Sequence, residues 1–148
     1  MLEYVTYIRT PVEELWRALT DPAVTVRYWF DARVESDWRV GAPVAIVAPD
    51  GAVWDHGEVL EVEPYRRLCF TWITLVPAEL AGEPATRLGL TLEPIGPDVR
   101  LTVVHDGFEP GSKLYESVRE GWPALLSTLK SLLETGSPLA IVRTMLAG

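Results

Sequence analysis

His105, His56, Cys69 and the tryptophans at positions 16, 29, 38, 54, 72 and 122 are the residues of this chain whose types and placement could serve a chemical task. His105 continues the alternation of Leu101 and Val103. If those two point inward, the imidazole stands on the inner face of a sheet, just before the last long helix. That makes it the best candidate polar anchor, against the plainer reading of a core histidine satisfied by a hydrogen bond and a third reading as an acid-base group. His56 and Glu58 share one strand face and could in principle join His105 around a metal. Two histidines and one cysteine without paired-ligand spacing argue against it, so neither a metal nor a cofactor is expected. There is no glycine-rich phosphate loop, no Gly-x-Ser-x-Gly elbow and no Cys-His pair, so covalent hydrolysis and nucleotide chemistry lack their parts and no catalytic residue is assigned. Cys69 reads as a small buried apolar group, and Arg66-Arg67 as solvated.

Large rigid aromatics are efficient walls for an apolar pocket. Trp16 shares a helical stripe with Leu15 and Leu19 and reads as core. Trp29, Trp38, Trp54 and Trp72 lie on or beside strands, and Trp122 faces inward from the closing helix. Together with His56, His105 and Phe108, these five form the candidate ligand-binding set.

The elements that must position them follow from periodicity and turn chemistry. Glu3 to Arg9 reads as a strand. Thr10-Pro11-Val12-Glu13 then opens a helix as a capping box, with Pro11 at the first helical position. Asp21-Pro22 opens a second short helix running to about Tyr28. Period-two runs follow at Ala32–Trp38, Pro43–Ala48, Val53–Glu63, Arg67–Leu75, Thr86–Glu93 and Val99–Asp106, with Pro77 to Pro84 as the longest loop. A closing helix carries Leu114, Val118, Trp122, Leu125, Leu126, Leu129, Leu132 and Leu133 as one apolar stripe and ends at Gly136. Pro123 should kink or break it near Glu120-Gly121. The expected fold is α+β and helix-grip: a curved antiparallel sheet of about six or seven strands around a long C-terminal helix, with two short helices after strand 1. Residues 1–136 are expected to form one domain and 137–148 a tail.

The 148 residues suit one domain, and 48% hydrophobic content is enough for a core. Thirteen basic against 21 acidic residues give a net charge of −8, which leaves no electrostatic footprint for nucleic acid and disfavours anionic membranes. A single cysteine excludes an intramolecular disulfide framework and fits a reducing compartment. With no apolar run long enough to span a bilayer and no leader pattern, the expectation is a cytoplasmic protein without membrane insertion.

Three segments carry a resemblance: Tyr7 to Pro22, Gly57 to Leu68, and Gly121 to Lys130. In type and order they resemble the bacterial branch of the family named for the activator of the heat-shock-protein-90 ATPase, within the START-like, or SRPBCC, superfamily of helix-grip folds. The resemblance covers about Glu3 to Gly136. It implies a cavity between sheet and helix that in the superfamily holds lipids, sterols, polyketides or plant hormones, some members acting as cyclases. Because the chain starts directly at the first strand, without the chaperone-binding domain of the eukaryotic activators, a chaperone partner is not expected. Three functions stay open. The leading one is binding of a small apolar or aromatic ligand, lipid-, polyketide- or flavonoid-like. The others are a cyclase or dehydratase using His105, and an interaction module, either homodimeric or chaperone-associated.

Overall fold

A computed structural model describes residues 1–147. The elements are β1 (Leu2–Ile8), α1 (Val12–Thr20), α2 (Pro22–Thr25), β2 (Arg33–Ser36), β3 (Pro43–Val47), β4 (Val53–Glu63), β5 (Arg67–Thr74), β6 (Thr86–Ile95), β7 (Asp98–Asp106), α3 (Lys113–Thr135) and α4 (Ile141–Ala147), with a 3-10 turn at Ala78–Leu80. The seven strands form one antiparallel sheet in the order β1-β7-β6-β5-β4-β3-β2, gripping α3 in the helix-grip manner. Strands β2 to β7 are a meander because each break carries turn chemistry. At Asp50-Gly51, for example, Gly51 takes a φ of 88° and the Asp50 carboxylate accepts from the amide of Ala52 at 2.9 Å.

Alternation decides what the inner face holds. Leu68, Phe70, Trp72 and Thr74 of β5, Leu88, Leu90 and Leu92 of β6, and Val99, Leu101, Val103 and His105 of β7 are all buried. They pack against Leu114, Trp122, Leu125, Leu126, Leu129 and Leu132 of α3. Cys69 is buried as well, and burial pushes its thiol pKa up.

Two strand irregularities interrupt this pattern, and both are on β4. Ile46 pairs with Asp55 but Val47 pairs with Val53, so Trp54 is an extra residue, a β-bulge. The amides of Leu75 and Val76 both donate to its carbonyl. A second bulge lies between Val59 and Glu61. Between the two, Gly57 runs so close to β5 that a Cβ there would land on the carbonyl oxygen of Thr71. Because a backbone oxygen cannot rotate away, Gly57→Ala should cost about 2–3 kcal/mol of stability by overpacking. A urea midpoint equal to the wild type's would refute that.

The helix termini show where local rules were overridden. Pro11, with φ −63° and ψ 147°, is the cap of α1 rather than its first residue, so the frame shifts by one and the expected Thr10–Glu13 box does not form. Thr10 is buried instead, and its hydroxyl makes only a long bond to the Pro11 carbonyl, 3.4 Å. Asp21 caps α2 as its sequence suggests, accepting from Ala23 at 2.9 Å. The regular helix ends at Thr25, and turns continue to Trp29.

Helix α3 is capped by Ser112, which accepts from the amide of Tyr115, while Glu83 from the long loop takes the amides of Lys113 and Leu114. The break expected at Glu120-Gly121 is absent, and the helix is continuous through Pro123. Proline removes the amide that would pair with the carbonyl of Arg119. The hydroxyl of Tyr4 on β1 donates to that carbonyl at 3.0 Å, so the orphan is satisfied from the sheet. The segment after Gly136, read from sequence as a tail, contains α4. Val142 is buried, and Arg143 reaches Asp31 at 3.4 Å.

Candidate functional site

A cavity of about 290 Å³ opens between the inner face of the sheet and α3. Its walls include Trp29 and Phe30 from the turn after α2, Trp54 and Asp55 from β4, Trp72 and Thr74 from β5, Gly121 and Trp122 from α3, and Met145 and Leu146 from α4. Trp29, Trp72 and Trp122 touch one another, with ring centroids 5.7 to 6.3 Å apart in edge-on, tilted and stacked arrangements. Gly121 leaves room for the ring of Phe30, whose Cζ lies 3.9 Å from where a side chain would begin. Phe30 and Asp31 both hold left-handed backbone, φ 52° and 60°. Such strain costs about 1–2 kcal/mol per residue and is typically found where geometry serves a site.

The bulge at Trp54 sets the chemistry of this wall. An extra residue turns Trp54 and Asp55 to the same side, so the aspartate enters the cavity and the parity beyond it is reversed. The Oδ1 of Asp55 accepts from the Thr74 hydroxyl at 2.7 Å, and the Thr74 oxygen accepts from the Trp72 indole at 3.0 Å. Burial pushes the carboxyl pKa up to about 6, a rise only partly countered by hydrogen bonding to Thr74 and Trp72. Among the described residues lining the cavity, Asp55 is the only ionisable one.

His105 lies behind the wall. It is fully buried, with Trp72 at 5.2 Å, Trp122 at 6.1 Å and Phe108 at 4.6 Å between ring centroids. The Trp122 indole N–H donates to Nδ1 at 3.2 Å. An indole nitrogen can only donate, so Nδ1 is unprotonated and the hydrogen is on Nε2. Nε2 then donates to the Thr86 hydroxyl at 2.8 Å, and that hydroxyl donates to the carbonyl of Trp72 at 3.2 Å. Burial pushes the imidazole pKa down to about 4, so the ring is neutral at physiological pH.

Of the eight candidate residues, the structure therefore brings Trp29, Trp54, Trp72 and Trp122 together around one cavity. The other four lie elsewhere. Trp38 packs on Phe70 and donates to the carbonyl of Thr20, which places it in the core beside α1. His56 is exposed, on the far side of β4 from Asp55. His105 has both nitrogens bonded to protein groups, and Phe108 caps its ring and meets Tyr115 edge-on at 5.3 Å. Among the described residues no three His, Cys, Asp or Glu side chains converge as metal ligands, and no helix is long and apolar enough to cross a membrane.

Asp55, Phe30, Thr74 and the α4 residues were not among the sequence candidates. The spacing of Ile141, Val142 and Met145 is an amphipathic signal that could have flagged α4. Nothing local marks the bulge that brings in Asp55.

Residues 9–134 match the model of the family described as Activator of Hsp90 ATPase homolog 1-like protein. Among solved structures, DynU16, a protein in the dynemicin biosynthetic locus, superposes with a TM-score of 0.75 at 28% identity. The match covers 93% of this chain and 48% of that one, so the chain spans about half of DynU16. MLL2253 from Mesorhizobium loti is 31% identical with a TM-score of 0.74, over 89% of this chain and 96% of that one. CalU16 from Micromonospora echinospora is 25% identical with a TM-score of 0.72, over 90% and 76%. A comparison with curated proteins returns no match. The family match spans most of the chain, from residue 9 to residue 134, the helix-grip sheet agrees with it, and the chain belongs to the Activator of Hsp90 ATPase homolog 1-like family.

Proposed function

We propose that the protein binds a small aromatic or apolar molecule in the cavity between the sheet and α3. The observation that carries this is the cavity itself: about 290 Å³, walled by four tryptophans and Phe30, with one carboxylate. Ligand pockets run from roughly 300 to 1,000 Å³, so the space is at the small end. Flat walls at that size favour a compact ring system over an extended acyl chain. The similarity to DynU16 supports a biosynthetic small molecule as the occupant. The polyketide-like and flavonoid-like classes fit the walls better than the lipid-like one.

The test is a panel of flavonoids, naphthyl compounds and fatty acids, read by tryptophan fluorescence and thermal melting. A ring compound at a hundredfold excess over its Kd should stabilise the fold by about 2.7 kcal/mol, several degrees in Tm, with quenching. No shift and no quench with any member of the panel would overturn the proposal.

One observation favours a second, catalytic reading. A carboxyl poised near pH 6 inside an aromatic cavity suits proton transfer. Any cyclase- or dehydratase-type turnover would then run on Asp55, because His105 is enclosed and both its nitrogens are occupied.

A further inference from the structure

We propose that the cavity selects organic cations: aromatic or apolar amines, protonated at neutral pH, whose ammonium group pairs with Asp55 while the ring lies against the tryptophans. This deepens the ligand-binding function proposed above and rests on it.

Two independent features of the wall favour a cation. The first is an incomplete ion pair. Asp55 is hydrogen-bonded only by neutral groups, Thr74 and Trp72, and among the described residues no lysine, arginine or histidine lines the cavity. A carboxylate partly withdrawn from water is ordinarily paired with a cation from the protein. Here the partner's place is open space. The second is the aromatic cluster. Indoles are the strongest cation-attracting rings among side chains, and Trp29, Trp54, Trp72 and Trp122 border the same space as the carboxylate.

An anion entering the cavity would meet repulsion from both features. A neutral ring compound would gain the walls and leave Asp55 as it found it. Only a cation uses both. The net charge of −8 acts in the same direction at longer range, raising the concentration of cations near the mouth.

Three probes of nearly equal shape separate these cases: 2-(1-naphthyl)ethylamine, 2-(1-naphthyl)ethanol and 1-naphthylacetate, titrated calorimetrically at pH 7.5. The amine should bind about tenfold or more tightly than the alcohol, as a desolvated cation–π contact plus an ion pair implies, and the carboxylate should bind most weakly. In Asp55→Asn the amine's advantage should fall to roughly twofold or less, the share left to the tryptophans. If the alcohol binds and the amine has no advantage, or if the advantage survives in Asp55→Asn, this assignment fails while the cavity reading stands. If none of the three binds the wild-type protein, this assignment fails, and the cavity reading falls with it only if the flavonoids and fatty acids of the wider panel also fail to bind.

Discussion

Asp55→Asn should be more stable than the wild-type protein, by about 3 kcal/mol at pH 7.5, and the gain should vanish near pH 4. Burial raises the carboxyl pKa from 3.8 to about 6, and every tenfold weakening of an acid corresponds to about 1.4 kcal/mol. The sign follows from proton binding. Between about pH 4 and 6 the folded protein holds the Asp55 proton while the unfolded chain has released it, so raising pH through this window favours unfolding. Asparagine keeps the acceptor for Thr74 and removes the charge. Denaturant titrations of the two proteins from pH 4 to 8 would show the gap opening. A constant gap, or a less stable variant at pH 7.5, would show that Asp55 is not carried at a cost. A destabilising carboxylate in a cavity wall is what a ligand-binding role leads one to expect.

His105→Leu should show the opposite pH dependence and a larger loss, about 4 kcal/mol near neutrality. Leucine fills most of the volume but leaves the Trp122 indole N–H without an acceptor and removes the donor to Thr86. Each such buried orphan costs about 1–3 kcal/mol, in addition to the lost bonds. Burial depresses the wild-type imidazole pKa from 6.5 to about 4. The unfolded chain therefore binds a proton below pH 6.5 that the folded protein refuses, and the wild type loses roughly 1.4 kcal/mol for each tenfold rise in proton concentration down to pH 4. Leucine has no such loss, so the penalty should shrink to about 1 kcal/mol at pH 4. A penalty that does not change with pH would mean the ring is not held neutral by burial.

The sheet, its strand order and the gripping helix were legible because they rest on repetition. The run Leu101, Val103, His105 states its own inner face, and the stripe from Leu114 to Leu132 states its own packing side. The cavity wall was half legible. Trp72 and Trp122 follow the same alternation and spacing, and both line the cavity. On β4 the rule reversed at one residue: counting by twos from Trp54 leads to His56, whereas the extra residue brings in Asp55 and sends His56 to solvent. A bulge has no local signature when its residues are Trp-Asp-His rather than glycine. The capping box at Thr10 failed for a similar reason, since the extended backbone of Pro11 moves the cap by one position. The break expected near Pro123 was a sound inference about the helix alone. Its resolution came from Tyr4, at the opposite end of the chain, and no window around the proline contains it.

The chain of hydrogen bonds behind the cavity runs in one direction only. From the Trp122 indole through His105 and Thr86 to the carbonyl of Trp72, every group uses its hydrogen toward the next. The Trp72 indole then begins a second segment through Thr74 to Asp55. Conduction of a proton needs each member to accept on one side and release on the other, and an indole nitrogen does not accept. Both segments therefore begin at a dead end. The arrangement is an insulator: it holds the two tryptophans in place and keeps solvent protons from reaching the cavity through the core. Any proton that reaches a bound molecule must come from Asp55 or through the mouth.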